Sequence, residues 1–323
     1  MNLVITNVCN RRCEYCFQKE WFLANSKSEI KEMDLTDVSQ VLDWLSLNHF
    51  SLIGGEPLLY SRLDDLLSLI RDKGKTITMI SNISVDVNKF KDITTKFSGN
   101  TITSWLVNTD YPKHQEKVFI ENFKTLLNTN DSIALSTTLL PDKDKIKQAS
   151  DRLRRLVIMV KNESKRTGIH IRVSPSEPNH RDKYVKYDFT LDVYDIYLRL
   201  KRIMQGVTVG FDCPVNACEL NYETYSVRDV KISFSGNSCK GNPPFDIMPD
   251  RSAIWCASTN FLKVDDVLKF SNIKYCIDEL NKQYDEYWQN NELLCDYKIC
   301  GEYGRCTGVC PAKNESLKSY KKL

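Results

Sequence analysis

Cys9, Cys13 and Cys16 stand on one short run, Cys9-Asn10-Arg11-Arg12-Cys13-Glu14-Tyr15-Cys16, with the spacing C-x3-C-x2-C. Three thiolates this close can hold three corners of a cubic iron–sulfur cluster. No fourth cysteine lies nearby, so one iron of such a cluster would stay open. An open iron can bind and reduce a small molecule, whereas a fully ligated cluster only passes electrons. The loop is therefore a candidate for catalysis. The competing readings are a zinc site and a chance grouping. Zinc wants a fourth His or Cys close by, and none lies within thirty residues.

A second chemical signal lies about forty residues on, at Leu52-Ile53-Gly54-Gly55-Glu56-Pro57. The run reads as an apolar strand ending in two glycines, which lets a ligand approach the backbone closely. Groups at such a strand end can hydrogen-bond an ammonium. Alone, a Gly-Gly pair is only a turn signal.

Together the two motifs resemble those of the radical S-adenosylmethionine (SAM) enzymes. Tyr15 occupies that family's aromatic slot before the last cysteine, and the strand-like Leu3, Val4 and Ile5 precede the loop as expected. Gly54, Gly55, Glu56 and Pro57 match the family's GGEP motif letter for letter. The resemblance implies a [4Fe-4S] cluster on Cys9, Cys13 and Cys16, with SAM chelating the open iron through its amino and carboxylate groups. It also implies that the GGEP strand end meets the SAM amino group.

These residues need a scaffold. Strand-like stretches occur at Leu3–Thr6, Ser51–Ile53, Thr76–Ser81, Ser104–Thr109, Ile133–Thr138 and Ile169–Ser174. Amphipathic stretches separate them. Thr36 is read as the cap of a helix carrying Val38, Val41, Leu42 and Leu45. Leu63, Leu66, Leu67 and Ile70 form a face that ends at Gly74, read as a C-cap. Val118, Phe119, Phe123, Leu126 and Leu127 form another face. A long helix is expected from about Asp144 to Lys165. Six βα units in order imply an α/β fold with a parallel sheet and outer helices. The resemblance implies a (β/α)6 partial TIM barrel. In barrels the chemistry sits at the C-terminal strand ends, and both motifs lie there.

Other strand ends supply candidate SAM contacts. Ser81 and Asn82 close the third strand. Asn108 and Thr137 are candidates for the ribose, and Arg172 and Ser174 end the sixth strand. The family's glycine-rich fifth-strand motif has no clear copy here. Asp110, Glu177 and His180, just past strand ends, are candidates for meeting substrate or moving a proton.

The chain has 323 residues, 41% hydrophobic and 27% charged, as in a soluble globular protein with room for two domains. A formal charge of +3 and the lack of a basic stripe give no support for nucleic-acid binding. No apolar run reaches membrane-spanning length, and the N-terminal residues lack a signal-peptide pattern. A cytoplasmic location is the default expectation.

Nine of the twelve cysteines follow residue 212. In a reducing compartment such crowding points to metal. The composition shifts near Gly206, so the expected domains are 1–206 and 207–323. Cys300-x5-Cys306-x3-Cys310-Pro311, with Cys239 and Cys256 upstream, resembles the SPASM or shorter twitch-type extension of radical SAM enzymes. That extension carries auxiliary [4Fe-4S] clusters. The segment 246–255 reads as a turn between two short strands delivering Cys256. Arg251 stands where the resemblance expects a glycine, and Cys295-x4-Cys300 replaces the usual C-x2-C. Two fully ligated four-iron clusters need eight cysteines. Cys213, Cys218, Cys239, Cys256, Cys295, Cys300, Cys306 and Cys310 supply eight. One cluster with spare cysteines is the other reading. Cys276 lies in a helical pattern and is read as a buried apolar thiol.

The resemblance implies reductive cleavage of SAM to a 5′-deoxyadenosyl radical and hydrogen abstraction. The substrate would be a peptide undergoing oxidative modification or crosslinking, as for a maturase of a ribosomally made peptide. A flavodoxin- or ferredoxin-type donor would supply electrons. With strand one beginning at Leu3, recognition of a leader would fall to the barrel mouth, the C-terminal region or a separate leader-binding protein. Two alternatives stay open. One is a dehydrogenase or epimerase acting on a small molecule; the other is an iron–sulfur electron carrier or metal-stabilised binding module.

Overall fold

The computed structural model describes residues 1–16, 31–163, 167–173, 176–177, 180–184, 190–204, 208–211, 245–256, 259 and 261–291. In chain order the regular elements begin with β1 (Asn2–Val4), α1 (Leu35–Trp44), β2 (His49–Ile53), α2 (Leu63–Asp72), β3 (Thr76–Ser81), α3 (Val87–Phe97), β4 (Ile102–Asn108) and α4 (Glu116–Leu127). They continue with β5 (Ser132–Leu139), α5 (Lys143–Asn162), β6 (Thr167–Val173), β7 (Ser176–Glu177), β8 (His180–Tyr184) and α6 (Thr190–Ile203). The last are β9 (Thr208–Phe211), β10 (Asp246–Ile247), β11 (Ala253–Ile254), β12 (Lys263–Val264) and α7 (Ile273–Asn290). β1 to β5 are each followed by a helix, and the β7–β8 hairpin stands between β6 and α6, so the six βα units read from the sequence are present with one insertion.

The chain forms two compact units. One comprises Met1–Ile133 with Pro243–Tyr284, and the other Ala134–Asn242 with Asp285–Leu323. In the first unit β1, β2, β3 and β4 run parallel, in register Leu3↔Leu52, Leu52↔Met79 and Met79↔Trp105. All four therefore deliver their C-terminal ends to one side. Leu3, Val4, Leu52, Ile77, Met79 and Val107 are buried in the sheet. Helices cover it with apolar faces at helical spacing: Val38, Val41 and Leu42; Leu63, Leu66, Leu67 and Ile70; Phe90, Ile93 and Phe97; Phe119, Phe123 and Leu126. Phe90 meets Trp105 with ring centroids 5.4 Å apart. In the second unit β6 and β9 pair in parallel from Gly168↔Thr208, and β7 pairs with β8 as an antiparallel hairpin.

Local signals explain the element ends. The first helix is capped by Asp34, whose carboxylate accepts from the Thr36 N–H at 2.7 Å. The sequence reading chose Thr36 itself; two residues earlier is right, because Asp34 has the extended backbone a cap needs. Gly74 lies one residue past the α2 cap at φ +67° and donates to Arg71 O. That left-handed conformation is where glycine costs least.

The turn expected over 246–255 is present. β10 and β11 are antiparallel through Asp246↔Ile254, and β12 adds to β11. Less expected, β10 pairs in parallel with β1, and Asn2 Nδ2 donates to Asp246 Oδ1 at 2.6 Å. Residues of the C-terminal segment thus extend the sheet that carries the cysteine loop. The domain boundary read near Gly206 lies outside the described residues. Cys276 is fully buried in α7, as expected of an apolar thiol.

Leu66 has no exposed surface. Leu66→Ala is expected to lower unfolding stability by about 2–5 kcal/mol in urea titration. Leu191→Ala, at a position 67% exposed, is expected to change it by less than about 0.5 kcal/mol.

Candidate active site

The chain leaving β1 lies against the end of β2. Gly55 N–H donates to Thr6 O and Glu56 N–H to Val8 O, both at 2.8 Å. This contact is the reason for two glycines. A Cβ on Gly54 would sit 2.7 Å from Thr6 O, and one on Gly55 would sit 2.4 Å from Val8 O and 2.9 Å from the Cys9 Cβ. The sequence reading reserved that space for a ligand. On this side it is filled by the backbone that leads into the cysteine loop.

Glu56 is 1% exposed. Its carboxylate accepts from Ser81 Oγ at 2.7 Å, Asn82 N–H at 2.8 Å and Leu58 N–H at 3.1 Å. Burial pushes its carboxyl above the usual range, opposed by these donors and by the nearby Arg11 charge. The carboxylate therefore ties the end of β2 to the end of β3.

Past β3 the backbone turns sharply. Ile83 has φ +47°, a rare conformation for a β-branched residue. Ser81 Oγ accepts from Ile83 N–H, and Asn82 Oδ1 from Ser84 N–H, both at 2.8 Å. The buried Asn122 of α4 donates to Ile83 O at 2.8 Å and to Val85 O at 2.9 Å. The cysteine loop is stitched onto this turn. Asn82 Nδ2 donates to Asn10 Oδ1 at 2.9 Å, and Asn10 Nδ2 to Ser84 O at 2.6 Å.

Cys9, Cys13 and Cys16 are half-buried, free of disulfides and brought together on this loop. Cys16 N–H donates to Cys13 O at 3.1 Å, and Arg11 N–H reaches Cys9 Sγ at 3.4 Å. Burial, with the charges of Glu56, Cys13 and Cys16, pushes the Cys9 thiol up to about 12. Cys13 is also raised by burial. Such thiols ionise when a multiply charged metal centre takes them. Three soft sulfur donors, half-buried on one braced loop, fit a [4Fe-4S] group. Among the described residues no three His, Cys, Asp or Glu side chains converge on a single metal ion.

Tyr15 is braced from β4. Its hydroxyl donates to Asp110 Oδ2 at 2.7 Å, and Asn108 Nδ2 donates to the Tyr15 oxygen at 3.2 Å. Burial and the Asp110 charge push the phenol well above its usual value. Asn108 and Asp110 thus position an aromatic ring of the cysteine loop.

The other candidates divide by unit. Thr137 is buried in β5, and Arg172 lies in β6. Glu177 and His180 oppose one another across β7 and β8. Ser174 and Cys213, Cys218, Cys239, Cys295, Cys300, Cys306 and Cys310 lie outside the described residues. Cys256 follows β11, half-buried, with Sγ 3.3 Å from Thr259 Oγ1. Sequence reasoning missed Asn10, Arg11, Ser84, Gln115 and Asn122. Two of these stand inside the cysteine motif, where position alone could have flagged them.

Comparison with known proteins agrees with this geometry. The Radical SAM superfamily matches residues 3–94. That segment holds the cysteine loop, the Gly-Gly-Glu-Pro strand end and the β3 turn. Residues 3–94 thus carry a radical SAM domain. An S-adenosylmethionine-dependent nucleotide dehydratase from Thermoplasmatales archaeon (strain ISO4-H5) is 32% identical over 84 residues, 26% of this chain and 29% of the relative. A GTP 3′,8-cyclase of Staphylococcus saprophyticus is 36% identical over 72 residues, 21% of each chain. The chain thus spans under a third of these curated relatives. The fold is similar over far more. Streptococcus suis SuiB bound to S-adenosylmethionine superposes with a TM-score of 0.64 at 16% identity, over 97% of this chain and 72% of SuiB. Native anSMEcpe with bound AdoMet gives 0.59 at 14% identity, over 99% and 94%.

Two outcomes follow. Gly55→Ala drives a Cβ into backbone, which cannot swing aside; iron uptake by the reconstituted variant is expected to fall at least about fivefold, with a lowered melting midpoint. In the iron-free chain, Cys9 is mostly thiol well past neutrality because its titration is raised. Its alkylation by iodoacetamide at pH 8 is expected to be slower than in urea-unfolded chain, rising about tenfold per pH unit. Equal rates in the two states would refute the buried-thiol account.

Proposed function

We propose that this protein is a radical SAM enzyme that abstracts hydrogen from a peptide substrate and oxidatively modifies or crosslinks it, using auxiliary iron–sulfur clusters held by its C-terminal cysteines. The observation that carries the reading is the seating of the three-cysteine loop on the Gly54-Gly55 strand end and the β3 turn. A [4Fe-4S] group held by Cys9, Cys13 and Cys16 would deliver one electron to SAM at its open iron, opening the sulfur–C5′ bond to give methionine and a 5′-deoxyadenosyl radical.

The protein's own residues do the rest. Gly55 and Glu56 fix the loop through Thr6 and Val8, so the thiolates keep their places. Asn108 and Asp110 hold the Tyr15 ring beside the last cysteine. Ser81 and Asn82, bound to the Glu56 carboxylate, define the adjoining strand end where the SAM amino group and ribose are expected. Thr137, Arg172 and Ser174 are the further SAM candidates. Glu177 and His180 remain candidates for proton transfer, as does Asp110 when not engaged by Tyr15.

A peptide substrate is supported by the fold neighbours. SuiB has been seen bound to precursor peptide SuiA, and anSMEcpe with a Cp18Cys peptide. Cys213, Cys218, Cys239, Cys256, Cys295, Cys300, Cys306 and Cys310 would hold one or, on the ligand count, two auxiliary clusters. A low-potential flavodoxin- or ferredoxin-type donor is the expected reductant. A cytoplasmic location is the default expectation, and among the described residues no helix is long and apolar enough to cross a membrane. A second reading, a small-molecule substrate such as a nucleotide, is favoured by the named dehydratase and cyclase relatives. Those matches cover only 26% and 21% of this chain, so they speak less to the substrate than the fold neighbours do.

Anaerobic reconstitution with iron and sulfide, then SAM and dithionite, tests the reading. The wild-type chain is expected to release 5′-deoxyadenosine and Cys13→Ala to release none, with about twelve irons per chain for two auxiliary clusters and about eight for one. A fully loaded wild-type chain that releases none would move the assignment to an electron carrier or binding module. Stimulation by nucleoside triphosphates instead of peptides would select the second reading.

A further inference from the structure

Arg11 has no part in the chemistry above, yet the site is built around it. It sits between Cys9 and Cys13, with 9% of its surface exposed. Its Nε donates to Gln115 Oε1 at 3.0 Å, and its Nη2 to Asn82 O at 3.0 Å and Ser84 Oγ at 2.6 Å. Nη1 is buried with no partner. These acceptors are all neutral. A buried cation hydrogen-bonded only to neutral acceptors is costly, and its Nη1 meets no acceptor at all. The groups whose charges act on it are Cys13 first, then Glu56, Tyr15 and Asp110.

Cysteines hold metal as thiolates, so filling the site sets negative charge on the same loop that carries this buried guanidinium and its unused Nη1. A cluster on three thiolates is anionic and becomes more so on gaining an electron. A fixed positive charge close by, shielded from water, favours the reduced form. Side chains before α4 and past β3 grip the guanidinium fork from two directions, so the charge cannot swing out to solvent. A lysine would lack the fork.

We propose that Arg11 is the built-in counter-cation of the three-cysteine site, a positioning residue that holds the loop through Gln115, Asn82 and Ser84 while its charge raises the reduction potential of the group the cysteines hold. The reduction itself is a one-electron transfer from an external low-potential donor. The proposal rests on the reading of Cys9, Cys13 and Cys16 as cluster ligands.

The test compares wild type, Arg11→Gln, Arg11→Lys and Gln115→Glu in the full chain, each reconstituted anaerobically. Iron per chain is measured, together with a dithionite titration followed by electron paramagnetic resonance on the signal that added SAM perturbs. Arg11→Gln is expected to disfavour reduction about tenfold, a shift of about 59 mV to lower potential for one electron. Gln115→Glu keeps the fork but sets a carboxylate against Nε, and is expected to shift the potential the same way. Arg11→Lys is expected to stay nearer to wild type in potential while binding less iron. A residue that only braced the loop would lower iron uptake or melting temperature and leave the potential of the loaded fraction unmoved. Equal potentials in loaded wild type and Gln115→Glu would overturn the proposal, including where Arg11→Gln fails to load. A wild-type chain that takes up no iron would overturn the cluster reading itself, and the counter-cation role with it.

Discussion

A carboxylate shut away from water must be given donors, and the Glu56 carboxylate receives three. Leu58 N–H belongs to its own turn, while Ser81 Oγ and Asn82 N–H belong to the end of the neighbouring strand. Losing one would leave charge-assisted acceptor capacity unmet in a dry place, at a cost of about 1–3 kcal/mol or more. The end of β3 is therefore held by the end of β2. Glu56 N–H also donates to Val8 O, so the same residue holds the exit of β1. Three strand ends meet at one residue, and the cysteine loop inherits its position from that meeting.

Packing makes the arrangement one-sided. Gly54 and Gly55 have no room for any side chain, because Thr6 and Val8 backbone atoms occupy it. Ile83 is forced to a positive φ, a strain of order 1–3 kcal/mol. That turn persists because Asn122 satisfies two of its carbonyls and Ser81 and Asn82 satisfy two of its N–H groups. Here strain is stored at the end of β3 and restrained by one buried amide, Asn122, from a helix.

The fold and the outline of the site were legible in the sequence for a common reason: both rest on residue type at short spacing. The cysteine triplet, the Gly-Gly-Glu-Pro strand end and the helical apolar faces need no knowledge of distant contacts. What could not be read depends on partners far along the chain. β10 lies beside β1 though the pairing residues Asn2 and Asp246 are 244 positions apart. Arg11 reads as a solvent-facing charge, since arginines are seldom fully buried; its burial depends on Ser84 and Gln115, more than seventy residues away. The cap at Asp34 was missed because Asp34 and Thr36 are both good capping residues, and only backbone conformation separates them.

Arg251 shows how a departure from an expected residue can be accommodated. The turn between β10 and β11 places it at φ +64°, where glycine would be free of strain. For an L-residue that conformation costs roughly 1–2 kcal/mol. The side chain offsets part of this by pairing with Asp37 of α1 at 2.9 Å and Asp266 at 3.0 Å. Each partner is partly exposed, so each pair contributes about 0–1 kcal/mol. The two effects are of similar size, and stability alone does not explain the substitution. What the arginine adds is a direction. It fastens the hairpin that precedes Cys256 to the helix following the Cys9–Cys16 segment, within the same compact unit. A glycine there would leave the turn relaxed but without its tie to α1, and the hairpin would keep only its strand pairings with β1 and β12.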